Sequence, residues 1–150
     1  MQKRSDILRL WHEDILRGLP QAQLLGLHRE VCGLRGNAWG RSHSTVNYIW
    51  KYDFERLVAY HIKVMEEMID RDFNVTDKWF EYDYRGKNCG RKKDISKERV
   101  EEFLDKKVFP EHNDKYLKEC IDNLYEKGCV CRFVEKVLEV NFDSEQSKGL

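Results

Sequence analysis

A helical stripe in the middle of the chain limits what it can fold into more than any other feature. Phe54, Leu57, Val58, Ile62, Met65 and Ile69 recur at three- and four-residue steps between about Asp53 and Arg71. That spacing lines apolar side chains along one face of an α-helix, and Asp53 stands where an N-cap belongs. A second stripe, Leu24, Leu27, Val31 and Leu34, follows Pro20, which suits a first helical turn because its missing N–H has no partner to lose. Gly33, Gly36 and Gly40 end that helix and open a loop running from Arg35 to His43. Val100, Phe103 and Leu104 mark a third helix after Ser96, closed by Pro110, although Ser96 and Arg99 do not complete a capping box. Asn113 caps a fourth, with Tyr116, Leu117, Cys120, Ile121 and Leu124 facing inward and Gly128 ending it. Cys129 to Phe142 fits strand or helix, and the tail from Asp143 is expected to be loose. The expectation is a mainly α, compact single-domain fold over residues 8–142, with long loops and at most one short C-terminal strand.

Length and charge narrow the function classes. The 150 residues make about one domain, and 41% hydrophobic against 36% charged residues is a globular mixture rather than a disordered one. The 27 basic and 27 acidic residues cancel, so no global positive field draws in a polyanion and any nucleic-acid contact must be local. The candidate patch is Arg85, Lys87, Arg91, Lys92 and Lys93, which follows the aromatic run Trp79, Phe80, Tyr82 and Tyr84. A solvated loop is the alternative reading of those cations. No apolar run approaches the roughly 18 residues of a membrane span, and no signal-peptide centre is seen, which points to the cytoplasm. The five cysteines are odd in number and lack the paired spacing of zinc sites, so reduced thiols and no metal are expected.

The first residues carry a clue about translation. Lys3-Arg4-Ser5 can be encoded by a purine-rich ribosome-binding sequence, at normal spacing before a TTG start codon at Leu8. Initiation there would place methionine at position 8 and leave residues 1–7 as untranslated leader; a polar N-terminal extension is the alternative. The consequence is chemical. A free α-amine ordinarily titrates at about 7.7–8.0 and a lysine side chain at about 10.4, so far more of the α-amine is nucleophilic near neutral pH.

Several strings then carry a resemblance: Leu8-Arg9-Leu10-Trp11-His12, Leu24-Leu25-Gly26-Leu27-His28-Arg29-Glu30, Arg35-Gly36-Asn37-Ala38-Trp39-Gly40 and His43-Ser44-Thr45-Val46-Asn47-Tyr48. With a weaker match through Glu67, Met68, Arg71, Phe73 and Asn74, the first half of the chain resembles the pyrimidine-dimer DNA glycosylases of the phage endonuclease V type, and more closely their bacterial relatives that open Met-Arg-Leu-Trp-His. The resemblance implies a helical enzyme in which the N-terminal amine attacks the sugar C1′ of a damaged nucleotide, with imine formation followed by β-elimination. It places the amine at Leu8 and the active-site carboxylate at Glu30, with Arg9 and Arg29 on phosphates. The implied partner is damaged double-stranded DNA, with neither metal nor organic cofactor; a monomer is the default expectation.

The residues themselves lend partial support. Glu30 lies at the edge of the Leu24/Leu27/Val31/Leu34 stripe, where partial burial would raise its pKa and suit it to proton transfer; a surface glutamate paired with arginine is the alternative. His28 and His43 are candidates to touch phosphate or a flipped nucleotide, against a structural role. Trp39, flanked by Arg35 and Arg41, is a candidate wedge or base stack, or a tryptophan folded over the core. Asn47 is a candidate base or phosphate contact, or a turn residue. His12, His61 and His112 receive no role. The competing functions are a non-catalytic nucleic-acid-binding module and a helical protein-interaction domain.

Overall fold

The computed structural model describes residues 10–41 and 47–126. In chain order the elements are a 3-10 helix Glu13–Gly18, helix α1 Gln21–Arg35, a 3-10 helix Asn47–Lys51, helix α2 Phe54–Asp70, a 3-10 helix Asp77–Phe80, helix α3 Lys97–Leu104 and helix α4 Asp114–Glu126. The fold is mainly α, as expected, and the described residues include no strand. Gly128 and the undecided stretch Cys129 to Phe142 lie outside the described residues.

Helix α2 is the centre. Leu57, Val58, Ala59, Tyr60, His61, Ile62, Val64, Met65 and Met68 are all buried, more than a single stripe supplies, because α1 and α3 pack on it from different sides. Ile69, expected in the stripe, is 48% exposed instead. At the C-terminus the chain turns through Asp72, whose φ of 65° is left-handed, and the Phe73 N–H reaches back 2.9 Å to the Met68 carbonyl.

Local signals account for most helix ends. Pro20 stands just outside α1 as its N-cap rather than inside the first turn, and its carbonyl accepts the Leu24 N–H at 2.9 Å. Gly36 ends α1, whereas Gly33 lies within it. A Cβ at Gly36 would stand 2.8 Å from the Arg85 carbonyl oxygen, so only glycine admits that approach. The Arg85 guanidinium then donates to the carbonyls of Arg35 (2.7 Å) and Gly36 (2.9 Å), a cation at the negative end of the helix.

Ser96 caps α3 by accepting the Arg99 N–H at 3.2 Å. The carboxylate missing from its capping box comes from another helix: Glu55 of α2 accepts the Ser96 N–H at 2.7 Å. Asp53 makes no side-chain cap bond to α2 and instead pairs with Arg99 at 2.8 Å. Helix α3 ends at Leu104, well before Pro110, because the chain leaves it to sink Val108 and Phe109 into the core, where Arg56 takes the Val108 carbonyl at 2.8 Å. Asn113 caps α4 as expected, accepting the Tyr116 N–H at 2.9 Å.

The segment before α1 is part of this core. Leu10, Ile15, Leu16 and Leu19 are buried, and Arg71 at the end of α2 donates to the carbonyls of Leu16, Arg17 and Leu19.

Candidate active site

Three tyrosines hold the backbone of Leu10 and Trp11. The Leu10 N–H donates to the Tyr48 hydroxyl at 3.2 Å, the Tyr116 hydroxyl donates to the Leu10 carbonyl at 3.0 Å, and the Tyr60 hydroxyl donates to the Trp11 carbonyl. The rings come from the 3-10 helix Asn47–Lys51, α4 and α2, so three parts of the chain meet on two residues. Tyr48 shares a 2.9 Å hydrogen bond with His112 Nε2, and His112 stacks on His12 at 5.4 Å and lies 5.3 Å from the Tyr116 ring. His12 caps the 3-10 helix Glu13–Gly18 by accepting the Asp14 N–H on Nδ1. Burial holds His12 below its ordinary pKa and pushes Tyr60 well above its own, which keeps the phenol a hydrogen-bond donor.

Glu30 is exposed on α1, not partly buried as expected. The helix turns about 100° per residue, so burying Val31 swings its predecessor off the core. The carboxylate is still close enough to Tyr60 for its negative charge to raise the phenol's pKa further. Glu30 therefore stands on the surface, within electrostatic range of the tyrosine that grips Trp11. Arg29 is exposed next to it, and Arg41 is exposed beyond the end of α1, its carbonyl accepting the Trp50 indole N–H at 2.8 Å.

Other candidates occupy different environments. Arg35, expected at DNA, is 0% exposed. Its guanidinium donates to the carbonyls of Trp79, Glu81 and Tyr84 and to His61 Nδ1, each at 2.9 Å, and it lies 5.1 Å from the Trp79 ring centre. Burial lowers its pKa to about 10. It anchors the segment around residues 79–84 and cannot reach a phosphate, because the helix phase that buries Leu34 carries Arg35 inward as well. Trp39 is wedged edge-on against Trp50 and Phe54 at 4.8 Å from each, which is the folded-back alternative and not a free wedge. Leu8, Arg9, His43 and the Asn47 side chain lie outside the described residues.

His28 is half-buried and faces another group altogether. Its Nδ1 is 2.9 Å from His61 Nε2, and Cys32, one turn further along α1, lies beside both rings. Burial, with Arg29 and Arg35 adding to it, keeps His28 below its ordinary pKa; burial and Arg35 hold His61 far below, and burial raises the Cys32 thiol to about 11. The basic stretch is also partly occupied. Arg85 caps α1, Arg91 pairs with Glu81 and Asp83 at 2.6 Å each, and Lys92 lies over Phe54, leaving Lys87 and Lys93 exposed.

Sequence reasoning missed the three tyrosines and gave no role to His12, His61 and His112. The available signal was the chemistry of buried phenols, whose hydroxyls need partners wherever the ring lies on an apolar face. Metal reasoning looked for paired cysteines and passed over His28 and Cys32 at i and i+4.

A family model described as pyrimidine dimer DNA glycosylase matches residues 8–81. No curated protein and no solved structure matches the chain. The matched stretch holds Leu10, Trp11, Glu30, Tyr48 and Tyr60, while Tyr116 closes the clamp from outside it. No described helix is long and apolar enough to cross a membrane. Over residues 8–81, which include α1 and α2 but not α4 of the candidate site, the chain belongs to the pyrimidine dimer DNA glycosylase family, whose substrate is DNA and whose role is repair.

Proposed function

We propose that the protein is a glycosylase and abasic-site lyase acting on pyrimidine dimers or related lesions in double-stranded DNA, with the α-amine at position 8 as nucleophile and Glu30 as proton carrier. Translation then begins at position 8, where the family match also opens. The amine attacks C1′ as the glycosidic bond breaks with its electrons passing to the base; the sugar ring then opens at C1′–O4′, O4′ taking a proton from the amine, and a protonated imine joins the sugar to the protein. Loss of the C2′ proton to Glu30 expels the 3′ phosphate, and water releases the product, so no redox partner is needed.

The observation that carries this reading is the clamp of Tyr48, Tyr60 and Tyr116 on the backbone of Leu10 and Trp11, just past position 8. Glu30, the carboxylate the mechanism uses, is exposed on α1 and its charge is felt at Tyr60. Position 8 precedes Leu10, whose N–H Tyr48 holds, by two residues in the chain. The exposed Arg29 and Arg41 are suited to phosphates. The enzyme acts as a monomer in the cytoplasm on this reading.

The test compares proteins started at Met1 and at a methionine in position 8 on ultraviolet-irradiated duplex DNA. Strand scission by the shorter protein and none by the longer is the expected result. Equal scission by both would remove the amine at position 8 from the mechanism.

A further inference from the structure

Where α1 meets α2, three side chains that can ligate a metal converge. His28 and Cys32 sit one turn apart on α1 and His61 comes from α2. His28 Nδ1 and His61 Nε2 are 2.9 Å apart, and the Cys32 sulfur is 3.9 Å from each. The point equidistant from those three atoms lies about 2.1 Å from each, which matches zinc–nitrogen bonds of about 2.0–2.1 Å and approaches zinc–sulfur at about 2.3 Å. All three atoms lie within 4.8 Å of one another, so little movement is needed to close on a cation.

We propose that His28, Cys32 and His61 form a binding site for a divalent d-block cation, zinc foremost, that clips α1 to α2. Two imidazoles and a thiolate select such borderline-soft ions over magnesium or calcium, which demand oxygen ligands. His28 and Cys32 are only half-buried, so a fourth ligand can enter from solvent. The site is separate from the reaction proposed above and does not depend on it.

Arg35 sets the terms of binding. A guanidinium can only donate, so His61 accepts on Nδ1 and carries its proton on Nε2, where it donates to His28. Capturing a cation takes the Nε2 proton of His61, leaving an imidazolate that keeps the Arg35 bond on Nδ1, and the proton of the Cys32 thiol; both protons pass to solvent, and His61 Nε2, the Cys32 sulfur and the freed lone pair of His28 Nδ1 bind the metal. The Arg35 charge opposes a bare dication, and the two ligand anions offset that repulsion.

Titration of the full chain with cobalt(II) tests the proposal. One equivalent should produce a thiolate-to-cobalt charge-transfer band that zinc displaces, and zinc should raise the melting temperature. Cys32→Ala should abolish the band, and His28→Ala should weaken cobalt binding at least tenfold, with folding of each checked by circular dichroism. A protein carrying Cys89→Ser, Cys129→Ser and Cys131→Ser should keep the band. Absence of a band at tenfold excess cobalt, its survival in Cys32→Ala, or its loss in the triple variant would each overturn the site.

Discussion

The Tyr60 hydroxyl donates to the carbonyl of Trp11, 49 residues away in the chain. This bond joins the middle of the central helix to the segment that leads toward position 8, and Glu30 acts on the same phenol. Replacing Tyr60 with Phe leaves the ring packing and removes the hydroxyl, which should cost about 1–3 kcal/mol, since the Trp11 carbonyl loses its partner. Tyr116→Phe removes the bond to the Leu10 carbonyl in the same way. Urea unfolding measures the stability loss. If the clamp positions the amine, both variants should also form imine with abasic-site DNA at least tenfold more slowly while binding it with unchanged affinity. Undiminished imine formation would make the tyrosines purely structural.

Arg35 should behave as a core residue. Its loss leaves three carbonyls and His61 Nδ1 without their donor, so Arg35→Met should destabilise by roughly 3 kcal/mol or more. Lysine should restore little, because an ammonium lacks the planar fork that reaches four acceptors. Denaturant midpoints distinguish this from a DNA-contact role, in which stability would be unchanged and affinity would fall.

Arg29 and Arg41 are exposed, and the proposed function gives them phosphates to contact. Each phosphate contact removed should lower the slope of log affinity against log salt by about 0.9. Arg29→Ala and Arg41→Ala, followed by fluorescence anisotropy over a salt series, should each show that reduction with duplex DNA. Slopes equal to the unaltered protein's would remove these residues from the interface.

His12 should make the fold sensitive to acid. Burial lowers its pKa; Asp14 and Glu13 oppose that shift, Lys107 reinforces it, and His112 faces the ring. A base whose pKa is lower in the folded state takes up more protons when unfolded, so stability is fully present above about pH 6.5 and is lost as pH falls toward the folded value. His12→Asn keeps an acceptor for the Asp14 N–H and has no ring to charge. Denaturant midpoints between pH 7 and pH 5 should fall less steeply in that variant than in the unaltered protein. Parallel curves would assign the acid response to other groups.

Much of the helical framework could be read from local pattern. The α2 stripe, the Ser96 and Asn113 caps and the Leu24 to Leu34 face each depend on residues within a few positions of one another. Pro110 misled because proline marks a possible end, whereas the burial of Val108 and Phe109 ends α3 sooner. The site was less legible. Glu30 could be named from the resemblance, but the tyrosine clamp pairs side chains with backbone groups 38, 49 and 106 residues away, a separation that periodicity does not register. Arg35 looks like a surface cation in sequence because nothing nearby announces the three carbonyls that the segment around residues 79–84 folds onto it.

The most direct test is borohydride reduction of the protein on abasic-site duplex DNA, followed by mass mapping of the cross-linked peptide. The expected result is a covalent adduct on the α-amine of position 8, with Glu30→Gln lowering strand scission by about 10²–10⁴-fold. An adduct on a lysine side chain, or scission that persists with the amine acetylated, would contradict the proposed chemistry.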